Sequence, residues 1–263
     1  MKPELLIRKL LKQLEKEKNI KILFAVENGS RAWGMASKDS DFDVRFVFCY
    51  PVARYVEINS LADVVQLMTD AKGVLVTAGA LIDMSGFDIV KFARLLTSSN
   101  PTVIEWLMSP IVYVGNQPKK FKEFAMQQFN PLSLYHHYKS MCRNNYLKYL
   151  KSGELVTHKK YLYAFRGLVN AEWVVHKNTV PPVVFREAVR GLHKELPSVI
   201  VQKLELMIAV KAQGKEKDVI RNIPAMDSFI ENFLKDDSDA PLAKHHATLT
   251  ELNKEIQKIV MKG

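Results

Sequence analysis

The alternation over residues 41–48, Asp-Phe-Asp-Val-Arg-Phe-Val-Phe, narrows what this chain can fold into more than any other stretch. At the two-residue period of a β-strand, Asp41, Asp43 and Arg45 share one face, while Phe42, Val44, Phe46 and Phe48 share the other. One face demands a core, and the other sets two negative charges side by side. Adjacent like charges cost free energy unless a cation holds them, so the pattern reads as half of a divalent metal site carried on a strand. An EF-hand reading of Asp39, Asp41 and Asp43 fails, because that loop requires Gly and Glu where this chain has Val44 and Tyr50.

The flanking sequence supplies the rest of an α+β frame. Residues 3–18 carry a leucine stripe opposite Lys and Glu, the pattern of an amphipathic surface helix, and Asn19 ends it. Residues 20–26 are an apolar run of strand length, suited to a central strand, that delivers the chain to Glu27-Asn28-Gly29-Ser30. Short strands are expected at 55–58 and 64–68, and a longer one over 74–84 that ends in Ile82-Asp83-Met84, with Ser85-Gly86 turning the chain. Residues 87–97 then read as a helix with Asp88 at its start, followed by a helix at 102–108 and an edge strand at 111–114. From residue 118 onward the pattern is helical throughout, over 118–129, 132–152, 157–177, 183–195, 198–213, 225–235 and 241–261. Strands and helices first, then helices alone, predict an α+β domain over 1–115 and an all-helical C-terminal domain over 116–263.

Charge is unevenly spread along the chain. The net +10 concentrates in residues 111–222, with 19 Lys/Arg against 8 Asp/Glu, and the helical domain is basic over 116–222. Such a concentration suits a polyanionic partner such as nucleic acid. No apolar run approaches the roughly 20 residues that span a bilayer, and the charged N-terminus lacks the apolar core of a signal peptide, so a cytoplasmic protein is expected. Cys49 and Cys142 read as buried thiols, and His136-His137 and His245-His246 have no partners at ligand spacing. Trp33, Trp106 and Trp173 sit in apolar contexts as core anchors. The best basic-aromatic cluster is Lys159, Lys160, Tyr161, Tyr163, Phe165 and Arg166.

Asp41, Asp43 and Asp83 thus fall on two strands that can neighbour each other in one sheet. Asp70 and Asp88 are the other acids to weigh for the third place, and the Ile-Asp-Met context favours Asp83. Phosphoryl and nucleotidyl transfer use such a carboxylate cluster to hold divalent ions. Gly29 permits close backbone approach, and the Ser30 hydroxyl can hold a phosphate oxygen.

These residues resemble the DNA polymerase β-like nucleotidyltransferases, whose signature is a hydrophobic strand, Gly-Ser, a spacer and Asp-x-Asp between apolar residues. Here it is Gly29-Ser30, ten intervening residues, then Asp41-Phe42-Asp43-Val44. Gly29-Ser-Arg-Ala-Trp-Gly34 and Ser37-Lys-Asp-Ser-Asp41-Phe-Asp-Val-Arg45 are similar to the bacterial and phage subfamily of RNA repair pathway nucleotidyltransferases. The likeness continues through Ser85-Gly-Phe-Asp88, Lys91, Ser99-Asn-Pro101, Glu105-Trp-Leu107, Ser109-Pro110 and residues 159–166, about residues 20–190 in all. The resemblance implies a palm-like mixed sheet with flanking helices that binds two Mg²⁺ ions, with Mn²⁺ as a substitute, through Asp41, Asp43 and Asp83. It further implies Gly29 and Ser30 on the triphosphate of an NTP such as ATP. Arg31, Arg45 and Lys91 are candidate phosphate contacts, Arg31 and Arg45 being equally able to pair with a neighbouring aspartate. Lys159, Lys160, Tyr163 and Arg166 are candidate contacts to the acceptor. The expected activity is Mg²⁺-dependent transfer of a nucleoside monophosphate to an acceptor hydroxyl, with RNA as the first acceptor to consider. A small-molecule or protein acceptor, or a catalytically silent nucleic-acid-binding protein, are the alternatives.

Overall fold

The computed structural model describes residues 2–151, 155–215, 218–236, 242 and 248–262, and among them the architecture is α+β. The chain divides into two compact units, one of Met1–Ala32, Ser40–Gln128 and Ala247–Gly263, the other of Trp33–Asp39 and Phe129–His246.

The first unit is built on five strands in the order β3-β4-β2-β1-β5. Helix α1 (Pro3–Lys18) starts with proline at a position where a missing N–H costs nothing, and it stops at Asn19, whose φ of 49° turns the chain out of the helix. Its buried stripe of Leu6, Ile7, Leu10, Leu11 and Leu14 covers one face of the sheet, in a cluster with Ile22, Val44, Phe46, Phe48, Ile82 and Met84. Strand β1 (Lys21–Asn28) pairs antiparallel with β2 (Phe42–Cys49), and a four-residue helical turn, α2 (Gly29–Ala32), follows β1 directly. After β2 the chain makes a 3₁₀ turn over Val52–Val56, where residues 55–58 had suggested a strand. That segment is largely exposed, with Val56 and Ile58 open to solvent, so it lacks the cross-strand partner that strand propensity needs.

Strand β3 (Val64–Thr69) is an edge strand antiparallel to β4 (Ile82–Asp88), and β4 runs parallel to β2. The strand expected over 74–84 therefore begins later, and Ser85-Gly86 lies inside it instead of turning the chain. The reason is steric: a Cβ on Gly86 would sit 2.1 Å from the Phe46 ring, so the glycine lets β2 and β4 pack an aromatic across the ladder. Asp83 moves with it, from the end of a strand to the second residue of one. Asp88 closes β4 and caps α3 (Ile89–Thr97), its Oδ1 accepting from Val90 N at 2.8 Å. Helices α3 and α4 (Pro101–Met108) carry an aromatic stack on the other face of the sheet, Phe24 against Phe92, Trp106 beside Phe92 and Phe121 beyond it. Strand β5 (Val112–Gly115) edges the sheet beside β1, and α5 (Lys119–Gln127) completes the layer. The last helix, α11 (Thr250–Met261), packs on α3 and α5.

The second unit is helical apart from one short ladder. Helix α6 (Pro131–Tyr146) loosens into a π-helical turn over Leu147–Lys151 and packs along α7 (His158–Lys177). Two-residue strands β6 (Val156–Thr157) and β7 (Val219–Ile220) pair antiparallel, so the helical region is not purely helical. Between them lie α8 (Phe185–Gly191) and α9 (Ser198–Ala212), and α10 (Pro224–Lys235) stacks Phe229 on Phe165 of α7 at 6.3 Å. Of the helix expected over 241–261, most of 241–247 lies outside the described residues, and α11 occupies the remainder. Trp33 and Trp106 are buried, Trp173 is half-buried, and both cysteines are free and buried.

Candidate active site

Strand register brings the predicted acids together. Asn28 at the end of β1 pairs with Asp43, and Asp43 pairs in turn with Asp83 across the parallel β2/β4 ladder. Parallel register partners present their side chains on the same face, so the two carboxylates stand next to each other, each about a third exposed. Asp41 lies one residue ahead of β2, exposed. Asp70 instead forms a turn, its Oδ1 accepting from the backbone N–H groups of Lys72 and Val74, and Asp88 is a buried helix cap that also accepts from the Tyr55 hydroxyl. Among the three acids weighed for the third place, Asp83 is the one adjacent to Asp43.

The charge of this pair is balanced from within β2. Arg45 Nη2 donates to Asp43 Oδ1 at 3.2 Å and to Asp83 Oδ2 at 2.9 Å, while Nη1 donates to the carbonyls of Val44 and Asp83. Its side chain is 16% exposed, so the guanidinium is wedged between the two strands and fixes both carboxylates. Arg31 does a different job. Its Nε and Nη2 donate to the carbonyls of Asp41 and Ser40, and its guanidinium lies 3.8 Å over the Phe42 ring, which clamps the entry to β2. Lys91 pairs with Asp63 at 3.0 Å and lies over Phe87.

Gly29 explains its own place in the signature. Its φ is +62°, a region that costs side-chain-bearing residues about 1–2 kcal/mol. A Cβ there would lie 1.9 Å from Asp43 Oδ2 and 2.7 Å from its Cγ, so the backbone of Gly29 rests directly on the Asp43 carboxyl group. Ser30, next in the turn, is 8% exposed.

Glu27 was not singled out for a role by its sequence, yet it is the most buried acid near the site, with no exposed surface. Its Oε1 accepts from the backbone N–H of Asp43 at 2.7 Å, and Oε2 accepts a short hydrogen bond from the Tyr113 hydroxyl of β5. Its own carbonyl accepts from Ser109 Oγ at 2.6 Å. Burial pushes the Glu27 carboxyl up to about 7 despite those two hydrogen bonds, and burial together with the bond to Glu27 raises Tyr113 as well. The signal available in the sequence was an acid at the end of a central apolar strand, where an unpartnered charge cannot be left.

Hard carboxylate oxygens are the donors that magnesium takes, and Asp43 and Asp83 already share one cation, so the donor set suits a divalent ion. As the side chains stand, Arg45 is that cation, and among the described residues no three His, Cys, Asp or Glu side chains converge as a metal site. Lys159, Lys160 and Tyr163 belong to the helical unit, where with Asn145, Tyr149 and Thr157 they line a cavity of about 480 Å³. Arg166 does not line it, being 6% exposed with its guanidinium 3.7 Å over the Trp33 ring.

A five-stranded mixed sheet with flanking helices, Gly-Ser in the turn after its first strand and register-paired acids on β2 and β4, is the nucleotidyltransferase fold of polymerase β-like proteins. Residues 4–258 match the family model RlaP, described as the RNA repair pathway DNA polymerase beta family, and the chain belongs to that family. It is also 34% identical over 223 residues to the uncharacterized protein YcgL of Bacillus subtilis (strain 168), a match that covers 84% of this chain and 81% of the relative. No helix among the described residues is long and apolar enough to cross a membrane.

Proposed function

We propose that this chain transfers a nucleoside monophosphate from an NTP to an acceptor hydroxyl, with release of pyrophosphate, and that the acceptor is RNA. The observation that carries the reading is the Asp43–Asp83 pair across β2 and β4 with Gly29 resting on Asp43, in a chain of an RNA repair polymerase β family. Asp41, Asp43 and Asp83 would hold Mg²⁺ ions, whose positive charge offsets that of the triphosphate and of the departing pyrophosphate. The chain's own residues do the rest. The Ser30 hydroxyl and the backbone at Gly29 hold phosphate oxygens beside Asp43. Asp83 takes the proton of the attacking hydroxyl as its oxygen bonds to the α-phosphorus and the bond to pyrophosphate breaks. Glu27, itself held by Tyr113, supports the Asp43 backbone from behind, and Arg45 bridges the two carboxylates until substrate arrives. ATP is the first nucleotide to test.

The test is incubation with each α-labelled NTP and Mg²⁺, offering RNA, protein and small hydroxylated acceptors in parallel. Label should enter RNA, and Asp41→Ala and Asp43→Ala should each abolish transfer while keeping the parent circular dichroism. Normal Mg²⁺-dependent transfer by either variant would remove the assignment, and label in protein or a small molecule would replace the acceptor.

A further inference from the structure

The helical unit contains a cavity whose walls are two tyrosines, each attended by lysine. On one side Tyr149 rides on the π-helical turn Leu147–Lys151, with Lys148 Nζ 4.9 Å and Lys160 Nζ 5.7 Å from its ring centroid. On the other, Tyr163 of α7 carries Lys159 Nζ at 5.6 Å and is propped edge-on by Trp33 at 5.8 Å. Trp33 is in turn backed by the buried Arg166 guanidinium, so the Tyr163 wall is held from behind. Asn145 and Thr157 complete the lining, and the cavity, open to solvent on one side, has a volume of about 480 Å³. A π-helical turn widens the helix at the place where Tyr149 projects, a distortion that recurs at functional sites.

We infer that this cavity binds a single-stranded RNA segment of the acceptor, one base stacking on Tyr149 and the flanking phosphates lying on Lys159 and Lys160. The chemistry favours an occupant with both an aromatic face and negative charge. Lysine ammonium groups near the outer limit of cation–π distance hold a ring weakly, and a stacked base exchanges for them while the lysines move to phosphate, Lys160 leaving its hydrogen bond to the Leu155 carbonyl. An acidic peptide would use the lysines and leave both rings unmatched. A duplex would hide its base faces in its own stack. The identification of the strand as the acceptor rests on the nucleotidyltransferase reading above, whereas the binding itself does not.

The test measures binding without chemistry. A fluorescein-labelled single-stranded RNA of about ten nucleotides, within the span such sites occupy, is titrated with the full chain in EDTA at several salt concentrations and followed by anisotropy. Tyr149→Ala should weaken binding roughly 5- to 100-fold, and Tyr149→Phe should keep it, because the ring alone supplies the stacking. Lys159→Gln should lower the slope of log Kd against log salt by about one. Unchanged affinity in Tyr149→Ala, with the parent Tm, overturns the site. If Tyr149→Ala does not fold, Lys159→Glu at a half-exposed position carries the test, and unchanged affinity in that variant overturns it equally. Equal binding of duplex RNA, or displacement of the strand by AMP at concentrations matching the strand's own Kd, overturns the single-strand assignment. Asp43→Ala should bind the strand normally. If it also transfers nucleotide normally, the catalytic reading falls and the strand site stands.

Discussion

Gly29 allows the contact at the heart of the site to be measured without any substrate. Replacing it with alanine does two separable things: it forces a Cβ into a backbone with φ of +62°, and it drives that Cβ to 1.9 Å from Asp43 Oδ2. Gly79 provides the control, since its φ is +66° and a Cβ there would meet nothing within 4 Å. Gly79→Ala should therefore cost only the left-handed penalty, about 1–2 kcal/mol. Gly29→Ala adds an overpacking term of about 1–3 kcal/mol, because Asp43 is held by Arg45 and cannot simply rotate away, for a total of about 2–5 kcal/mol. Urea unfolding in EDTA, followed by circular dichroism, gives both costs from the midpoint at constant slope. The clash itself is isolated by a double-mutant cycle with Asp43→Ala, which removes Oδ2 and Cγ and leaves only a tight contact of 3.1 Å at Cβ. The double variant should recover most of the overpacking term and keep the backbone one. If Gly29→Ala costs no more than Gly79→Ala, or if the cycle is additive, then Gly29 does not rest on Asp43 and the geometry proposed for phosphate and carboxylate is wrong.

Two further outcomes follow from the charges around Asp43. Arg45→Gln leaves two half-buried carboxylates without their shared cation, which should cost about 1–3 kcal/mol in EDTA; added Mg²⁺ should restore more stability to the variant than it adds to the parent, and equal Mg²⁺ effects on Tm would refute the exchange of cations. For Glu27, burial raises the carboxyl from an ordinary 4.5 to about 7, so the fold keeps a proton that the unfolded chain releases between those values. The stability from neutral Glu27 is then fully present below about pH 4.5 and lost as pH rises through about 7. In metal-free protein the urea midpoint of Glu27→Gln, relative to wild type, should rise across that window, and a constant difference would show that Glu27 is not the group responsible.

Much of this protein was determined by local chemistry that a linear reading can follow. The leucine stripe of α1, the alternation of β2 and the helix start at Asp88 are each fixed by neighbours a few residues away, and the structure has them. The Gly-Ser and Asp-x-Asp spacing was likewise legible, because both sit at the ends of strands that pair with each other. What the tertiary structure alone decided concerns partners far apart in the chain. Gly86 looked like a turn until the Phe46 ring, forty residues earlier, required its missing Cβ, and that shift set the register of Asp83 against Asp43. Arg45 had two possible partners in sequence, phosphate or aspartate, and only the parallel β2/β4 pairing put it between two carboxylates. Glu27 became a support for Asp43 through Tyr113 and Ser109, more than eighty residues away, and Trp33 joined the helical unit through Tyr163 and Arg166. Periodicity states which face a residue takes, but the charge or ring that meets it there is chosen by the packing of the whole sheet and bundle.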